Sequence, residues 1–182
     1  AYTTAKGISF NGLKGYLATV TSAVENEALK TLVGGINGTD RHGWIGGVRT
    51  TSTGNLDNST PPNPATDGTS GKWLWASGPE AGQIFLEGAK KGSTVPDNIY
   101  SNWGNTEPNA AEYKTAFDNA LCFNANGMWQ DDKDKSATSG YIKGYYVEFG
   151  GYENEKTTED TLLKKTTGTP DLTAYKFVHD HA

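Results

Sequence analysis

Between Ser101 and Asp134 the chain gathers Glu107, Asn109, Asp118, Gln130, Asp131, Asp132 and Asp134, with no histidine among them. Carboxylate and amide oxygens without imidazole or thiolate suit a hard cation such as Ca2+, whereas zinc selects His or Cys. A simply solvated acidic loop is the competing reading of the same composition. Glu107-Pro108-Asn109 adds a constraint, because the proline sets two oxygen-bearing side chains on either side of a rigid bond that is compatible with a tight cis turn. Asp131 and Asp132 follow the strand-like Gly127-Met128-Trp129, so a backbone fixed by a buried Trp would present a carboxylate beside that turn. An EF-hand is excluded: counted from Asp132, no glycine falls at the sixth position, and Lys143 stands where the closing glutamate belongs.

Such groups need elements to position them. Ser22-Ala23-Val24-Glu25 has the spacing of a capping box, which predicts a helix running through Ala28, Leu29 and Leu32 and stopped by Gly34-Gly35. A shorter helix is expected around Tyr2 to Lys6, weakened by Gly7. Strands are expected at Gly15 to Val20, Trp44 to Val48, Lys72 to Ala76, Asn119 to Phe123 and Gly144 to Phe149, each rich in aromatic or β-branched residues between Gly, Asn or Ser. Arg49 to Gly71 has no hydrophobic period and reads as a long surface loop, and Gly88 to Asn98 is a second irregular stretch. After Phe149 the chain turns polar and charge-dense from Glu153 to Lys165, then Thr-, Gly- and Pro-rich to Pro170. A last apolar run at Leu172 to Val178 reads as one more strand.

Composition removes several function classes. The chain is 182 residues with 35% hydrophobic content, enough for one domain with a modest extension. Its 16 Lys and Arg against 21 Asp and Glu leave a net charge of -5, the opposite of a nucleic-acid binder's basic stripe and a poor match to anionic membrane. No apolar run reaches the roughly 18 residues of a membrane span, and the start lacks the regions of a signal peptide, so the chain reads as a mature or excised soluble fragment. The single cysteine, Cys122, forbids an intramolecular disulfide and leaves packing or bound metal to hold the fold. Twenty-three glycines with five Trp, nine Tyr and six Phe favour strands and long turns over a helical bundle, hence an α+β class.

Several motifs follow one another along the chain: Gly15-Tyr16-Leu17-Ala18-Thr19-Val20-Thr21-Ser22 with Glu25-Asn26, Trp44-Ile45-Gly46-Gly47, Trp73-Leu74-Trp75, Gly78-Pro79-Glu80-Ala81-Gly82 and Tyr100-Ser101-Asn102-Trp103. They continue through Glu107-Pro108-Asn109, Gly127-Met128-Trp129-Gln130-Asp131 and Tyr145-Tyr146-Val147-Glu148-Phe149. In this order the chain resembles the C-type lectin-like domain of bacterial surface (RTX-type) adhesins, over residues 1 to about 152. The resemblance implies two helices, small antiparallel sheets and a long calcium-binding loop region. It also implies a calcium-dependent carbohydrate site with Glu107 and Asn109 on the loop, Asp131 on the adjoining strand, and an intervening acid at Asp118, with Glu112 as the alternative. The Glu-Pro-Asn form is similar to that of lectins for mannose, fucose, glucose or N-acetylglucosamine, whose vicinal hydroxyls complete the calcium shell.

Two departures from the family's pattern matter. Gln130 stands where the family has Asn, and Ala110 and Asn119 stand where members with an auxiliary calcium carry acids, so that auxiliary site is expected to be absent or altered. The family's disulfides are missing, which makes Cys122 a free, buried thiol.

Other constellations are weaker. Trp44, Trp73 and Trp75 fall in strand-like segments and read as core, with Trp103 and Trp129 as scaffolding beside the site. His42, His179 and His181 are placed badly for a Ser-His-Asp triad. Glu107, Asp118 and Asp131 could serve a glycosidase, but carboxylates used as metal ligands make poor general acids. A structural or peptide-binding domain without sugar binding is the other alternative. The expectation is therefore a non-enzymatic, extracellular lectin module binding cell-surface glycans through Ca2+ inside a larger multidomain protein, with neither nucleic acid nor membrane insertion involved. Its parts are a carbohydrate-recognition domain at 1–152, a polar linker at 153–170, and an extra strand within 171–182 that pairs antiparallel with Gly144 to Phe149.

Overall fold

Aromatic and β-branched residues at alternate positions favour extended chain that packs by its faces, and among the described residues they build one connected set of ten strands with two helices against it. The computed structural model describes residues 1–34, 42–51, 62–113, 116–133, 142–152 and 175–179. In chain order the elements are α1 (Tyr2–Lys6), β1 (Ser9–Phe10), β2 (Leu13–Leu17), α2 (Ala23–Gly34), β3 (His42–Thr50), β4 (Lys72–Trp75) and β5 (Ile84–Leu86). They continue as β6 (Glu112–Tyr113), β7 (Ala116–Phe123), β8 (Trp129–Lys133), β9 (Ile142–Phe149) and β10 (Tyr175–His179). Among the described residues no helix is long and apolar enough to cross a membrane.

The architecture is thus mixed helix and sheet, but the strands do not separate into small antiparallel sheets. β3 is the reason. It pairs with β7 along one edge, while the other edge takes β9 in parallel over His42 to Trp44 and then β4 in antiparallel from Gly47 to Thr50. One long strand with three partners fuses what would otherwise be separate ladders. β9 is shared in the same way, with β2 antiparallel at Gly15 to Leu17 on the edge that β3 continues, and β10 antiparallel on the opposite edge. The β10 register runs from Tyr175 opposite Glu148 to His179 opposite Gly144. The segment between Phe149 and this strand falls mostly outside the described residues.

Two corrections concern β3 and the helix start. Arg49 and Thr50, read from sequence as the opening of a loop, belong to the strand and are fully buried, because Arg49 stands opposite Trp73 and Thr50 opposite Lys72. At the N-terminus of α2 the Ser22 hydroxyl accepts the Glu25 N–H at 3.2 Å, but Glu25 reaches past Ser22 to the N–H and hydroxyl of Thr21 at 2.6 and 2.8 Å. The carboxylate still satisfies a free donor ahead of the helix.

The main core joins Trp73, Trp75, Phe85, Leu121, Phe123, Trp129 and Tyr146, with Trp103 partly buried against it. Trp44 packs instead on a second cluster around Leu13, Leu17, Tyr145 and Val147. Gly47 is required by the first: a Cβ there would lie 2.5 Å from Leu121 Cδ2. Cys122 is buried and free, and burial pushes its thiol pKa upward.

Candidate functional site

The expected binding loop is the irregular segment from Glu87 to Ala111, between β5 and β6, which carries no strand of its own. Backbone bonds fasten it to the core instead. Trp129 donates its N–H to the Asn102 carbonyl at 2.8 Å, and Gly104 donates to the Trp129 carbonyl at 2.8 Å. The fully buried Trp129 ring is itself fixed by its indole N–H to Asn26 Oδ1 at 3.0 Å. Asn26 and Asn102 then converge on the Gly127 carbonyl at 2.9 and 2.7 Å. Trp129 therefore acts as the peg on which both the loop and β8 hang.

Two residues further along β8, Asp131 faces the same side as Trp129 by strand alternation and is only 4% exposed. Its two carboxylate oxygens accept the backbone N–H groups of Asn109 at 2.9 Å and Ala110 at 2.7 Å. Charge-assisted bonds of this kind are about twice as strong as neutral ones. The grip has a load to carry, since Ala110 lies in the left-handed region at φ 49, a conformation that costs a non-glycine residue about 1–3 kcal/mol. The Glu107-Pro108 peptide is cis. Asn109 Nδ2 donates to Glu107 Oε2 at 2.8 Å, while its Oδ1 accepts the Ala111 N–H at 2.7 Å.

Glu107 and Asp131 also meet by their side chains. Burial first, then this hydrogen bond and the Asp131 charge, raise the Glu107 pKa to about 8. Two carboxyl groups in contact cannot both ionise cheaply without a compensating cation, and the donors here are oxygens only. That combination fits Ca2+ chemically. Among the described residues no group of three or more His, Cys, Asp or Glu side chains is arranged to hold a metal ion. A cation at this point would therefore draw on the Asn109 carboxamide, backbone carbonyls and ligand oxygens in addition to Glu107 and Asp131.

The remaining sequence candidates are placed differently. Asp118, opposite Lys133 in the β7–β8 ladder, is buried and its Oδ1 meets no hydrogen-bond donor among the described residues. Burial first, then Asp131 and Asp132, raise its pKa to about 6 against the pull of Lys133 and Arg49. Gln130 stands opposite Cys122 and Asp132 opposite Ala120, so alternation turns both to the face away from Asp131. Glu112 opens β6 opposite Phe117. Asp134 lies outside the described residues. Glu107, Asn109 and Asp131 are thus in direct contact, and Asp118 lies within electrostatic reach of Asp131, its N–H on the Ala111 carbonyl at 3.1 Å.

Sequence reasoning missed Arg49, which is 0% exposed. Its Nη1 donates to the Ser70 carbonyl at 2.7 Å, and burial lowers its pKa against the opposing charges of Asp67, Asp131 and Asp118. Continuing the inward alternation of Ile45 and Gly47 by two residues would have found it.

No family model matches the chain. It is 32% identical over 171 residues, 93% of its length, to "Halomucin" of Haloquadratum walsbyi (strain DSM 16790 / HBSQ001), and it spans 2% of that protein. Among solved structures it is similar to the cow C-type carbohydrate-recognition domain of CD23 in the presence of GlcNAc2Man3 oligosaccharide. That match has 20% identity and a TM-score of 0.35, covering 64% of this chain and 58% of the other.

Proposed function

We propose that this chain is a calcium-dependent carbohydrate-binding module of a longer secreted or cell-surface adhesin. It would bind vicinal hydroxyls of mannose-, fucose-, glucose- or N-acetylglucosamine-type sugars. What carries the reading is the Asp131 contact, in which one buried carboxylate holds the backbone of Asn109 and Ala110 while touching Glu107. Loop and strand thereby offer carboxylate and amide oxygens at one place, as the resemblance to C-type lectin-like domains requires of Glu107, Asn109 and Asp131. Asp118 is the further candidate ligand, whereas Gln130 lies on the other face of β8.

Glu107, Asn109 and Asp131 would hold the Ca2+, which when bound supplies the positive charge that sugar hydroxyl oxygens coordinate. The Glu107 carboxylate then accepts a hydrogen bond from a hydroxyl, and the Asn109 amide donates one back. The same contact weighs against a glycoside hydrolase built on Glu107 and Asp131. Two carboxyls that share a hydrogen bond are closer than the roughly 5 Å or more that holds a sugar between acid and nucleophile.

A glycan array read with calcium and with chelator tests this function. Binding should vanish in chelator and return with calcium, and Asn109→Asp should weaken it at least about tenfold, since an acceptor replaces a donor. Binding that ignores the chelator would exclude the calcium role. An array silent in both conditions would favour a structural or peptide-binding domain.

A further inference from the structure

Arg49 is the one fully buried cation among the described residues, and it lies where the acids of β7 and β8 face the core. The β3 register brings Val48 opposite Ala120, so Arg49 emerges next to Asn119 and Asp118 at the bulge of β7. The buried atoms here without direct partners are complementary: Arg49 Nε and Nη2 are donors, and Asp118 Oδ1 and Asn119 Oδ1 are acceptors. Polar groups left in this way demand one another or a shared water.

A second line of contacts runs from Arg49 to the binding loop. Arg49 Nη1 bonds the Ser70 carbonyl, and the Ser70 N–H and hydroxyl both bond the Asp67 carboxylate at 2.6 Å. Within that turn a Cβ on Gly68 would meet the Ala110 carbonyl oxygen at 3.2 Å, so the turn lies directly against the residue that Asp131 grips. Asn119 closes the circuit through the Ala65 carbonyl at 2.8 Å, with the Ala65 N–H on the Arg49 carbonyl at 3.0 Å.

We infer that Arg49 is a fixed internal cation that positions the binding loop: it offsets the charges of Asp118 and Asp131 from beneath, so that Asp131 holds the Asn109 and Ala110 amides without any bound metal. Arg49 touches no ligand and acts through Asp131 and the Ser70 turn. The inference rests on reading this loop as the binding loop, but its test needs neither calcium nor sugar.

Hydrogen exchange of individual amides, measured in chelator, tests whether Arg49 positions the loop. In the unsubstituted chain the Asn109 and Ala110 amides should be protected. In Arg49→Met they should exchange at least about tenfold faster, while the β7–β8 ladder amides change much less, because only local opening is made easier. Arg49→Lys keeps the charge and should restore most of the protection. Unprotected amides before substitution, equal rates in Arg49→Met, or no rescue by Arg49→Lys would each overturn the inference. If Arg49→Met does not fold, the double variant Arg49→Met with Asp118→Asn decides: a folded domain supports charge balance, and a second failure assigns Arg49 to packing and overturns it. A null glycan array leaves all of these outcomes readable.

Discussion

Glu107 and Glu148 both hold their protons to about 8, yet they are opposite kinds of site. Glu107 stands at the junction of loop and strand, and after burial the main cause of its shift is a second carboxyl in contact, Asp131. Glu148 lies inside the sheet on β9, between Tyr16 of β2 and Tyr175 of β10. Burial again dominates, with Glu80 and Glu25 adding to it, while the Thr19 N–H at 3.0 Å and the Tyr16 hydroxyl oppose it. The Thr19 hydroxyl bridges Glu80 at 2.8 Å and Glu148 at 3.2 Å. A perturbed carboxyl therefore does not identify a site by itself. What separates the two is the company: an opposed acid and an amide on a strained loop in one case, and hydroxyls and ladder backbone in the other.

The largest test of that contrast removes Asp131. Asp131→Ala takes away two charge-assisted bonds and should destabilise the chain by about 3 kcal/mol, measured by denaturant melts. It should also lower the Glu107 pKa toward the ordinary carboxylate range while leaving Glu148 unmoved, which carboxyl NMR resolves. If the Glu107 pKa did not fall in this variant, burial alone would explain it and the contrast would collapse.

A smaller effect is expected from deleting residues 171–182, which removes the β10 ladder beside Glu148. The loss should be roughly 1–2 kcal/mol, a fall of a few degrees in Tm for a chain of this size. Opening that edge should lower the Glu148 pKa and leave Glu107 as it was. An unchanged melt would mean that the β9–β10 pairing contributes nothing to stability.

The smallest effect is Glu148→Gln at pH 6, where the native group already carries its proton and the exchange should cost under about 0.5 kcal/mol. The pH profile carries the information. Because the folded pKa lies above the unfolded one, the folded chain binds more protons between about 4.5 and 8, and stability falls as pH rises through that window. Glu148→Gln should remove its share of the slope. Excess calcium should remove the Glu107 share alone, and a calcium-insensitive profile would argue against a cation at Glu107.

Much of the scaffold was legible because its chemistry is local. The Trp44, Trp73 and Tyr145 segments carry β-forming residues at strand spacing, and Ser22 with Glu25 announces the helix start even though the carboxylate lands one residue early. Glu107, Asn109 and Asp131 were legible by type. Their contact was not, since Asp131 reaches the backbone of residues 21 and 22 positions away. β1, β5 and β6 are two or three residues long and leave no period to detect. Arg49 was hidden by its neighbours: a lone arginine before a Thr-, Ser- and Asn-rich run looks solvated, and only the pairing of β3 with β4 and β7 encloses it.

Enclosure also decides how the charges answer to salt. At about 1 M ionic strength the Debye length shrinks to roughly 3 Å, and surface attractions such as Lys30 with Glu27 at 3.3 Å or Lys72 with Glu87 at 3.2 Å fade. The repulsion among the excess acids of a chain with net charge -5 fades with them. Counter-ions cannot crowd around a guanidinium with no exposed surface, so the field Arg49 exerts beneath Asp131 is nearly the same in brine as in dilute buffer. The shape of the loop is thereby set by a charge that the ionic composition of the surroundings does not reach.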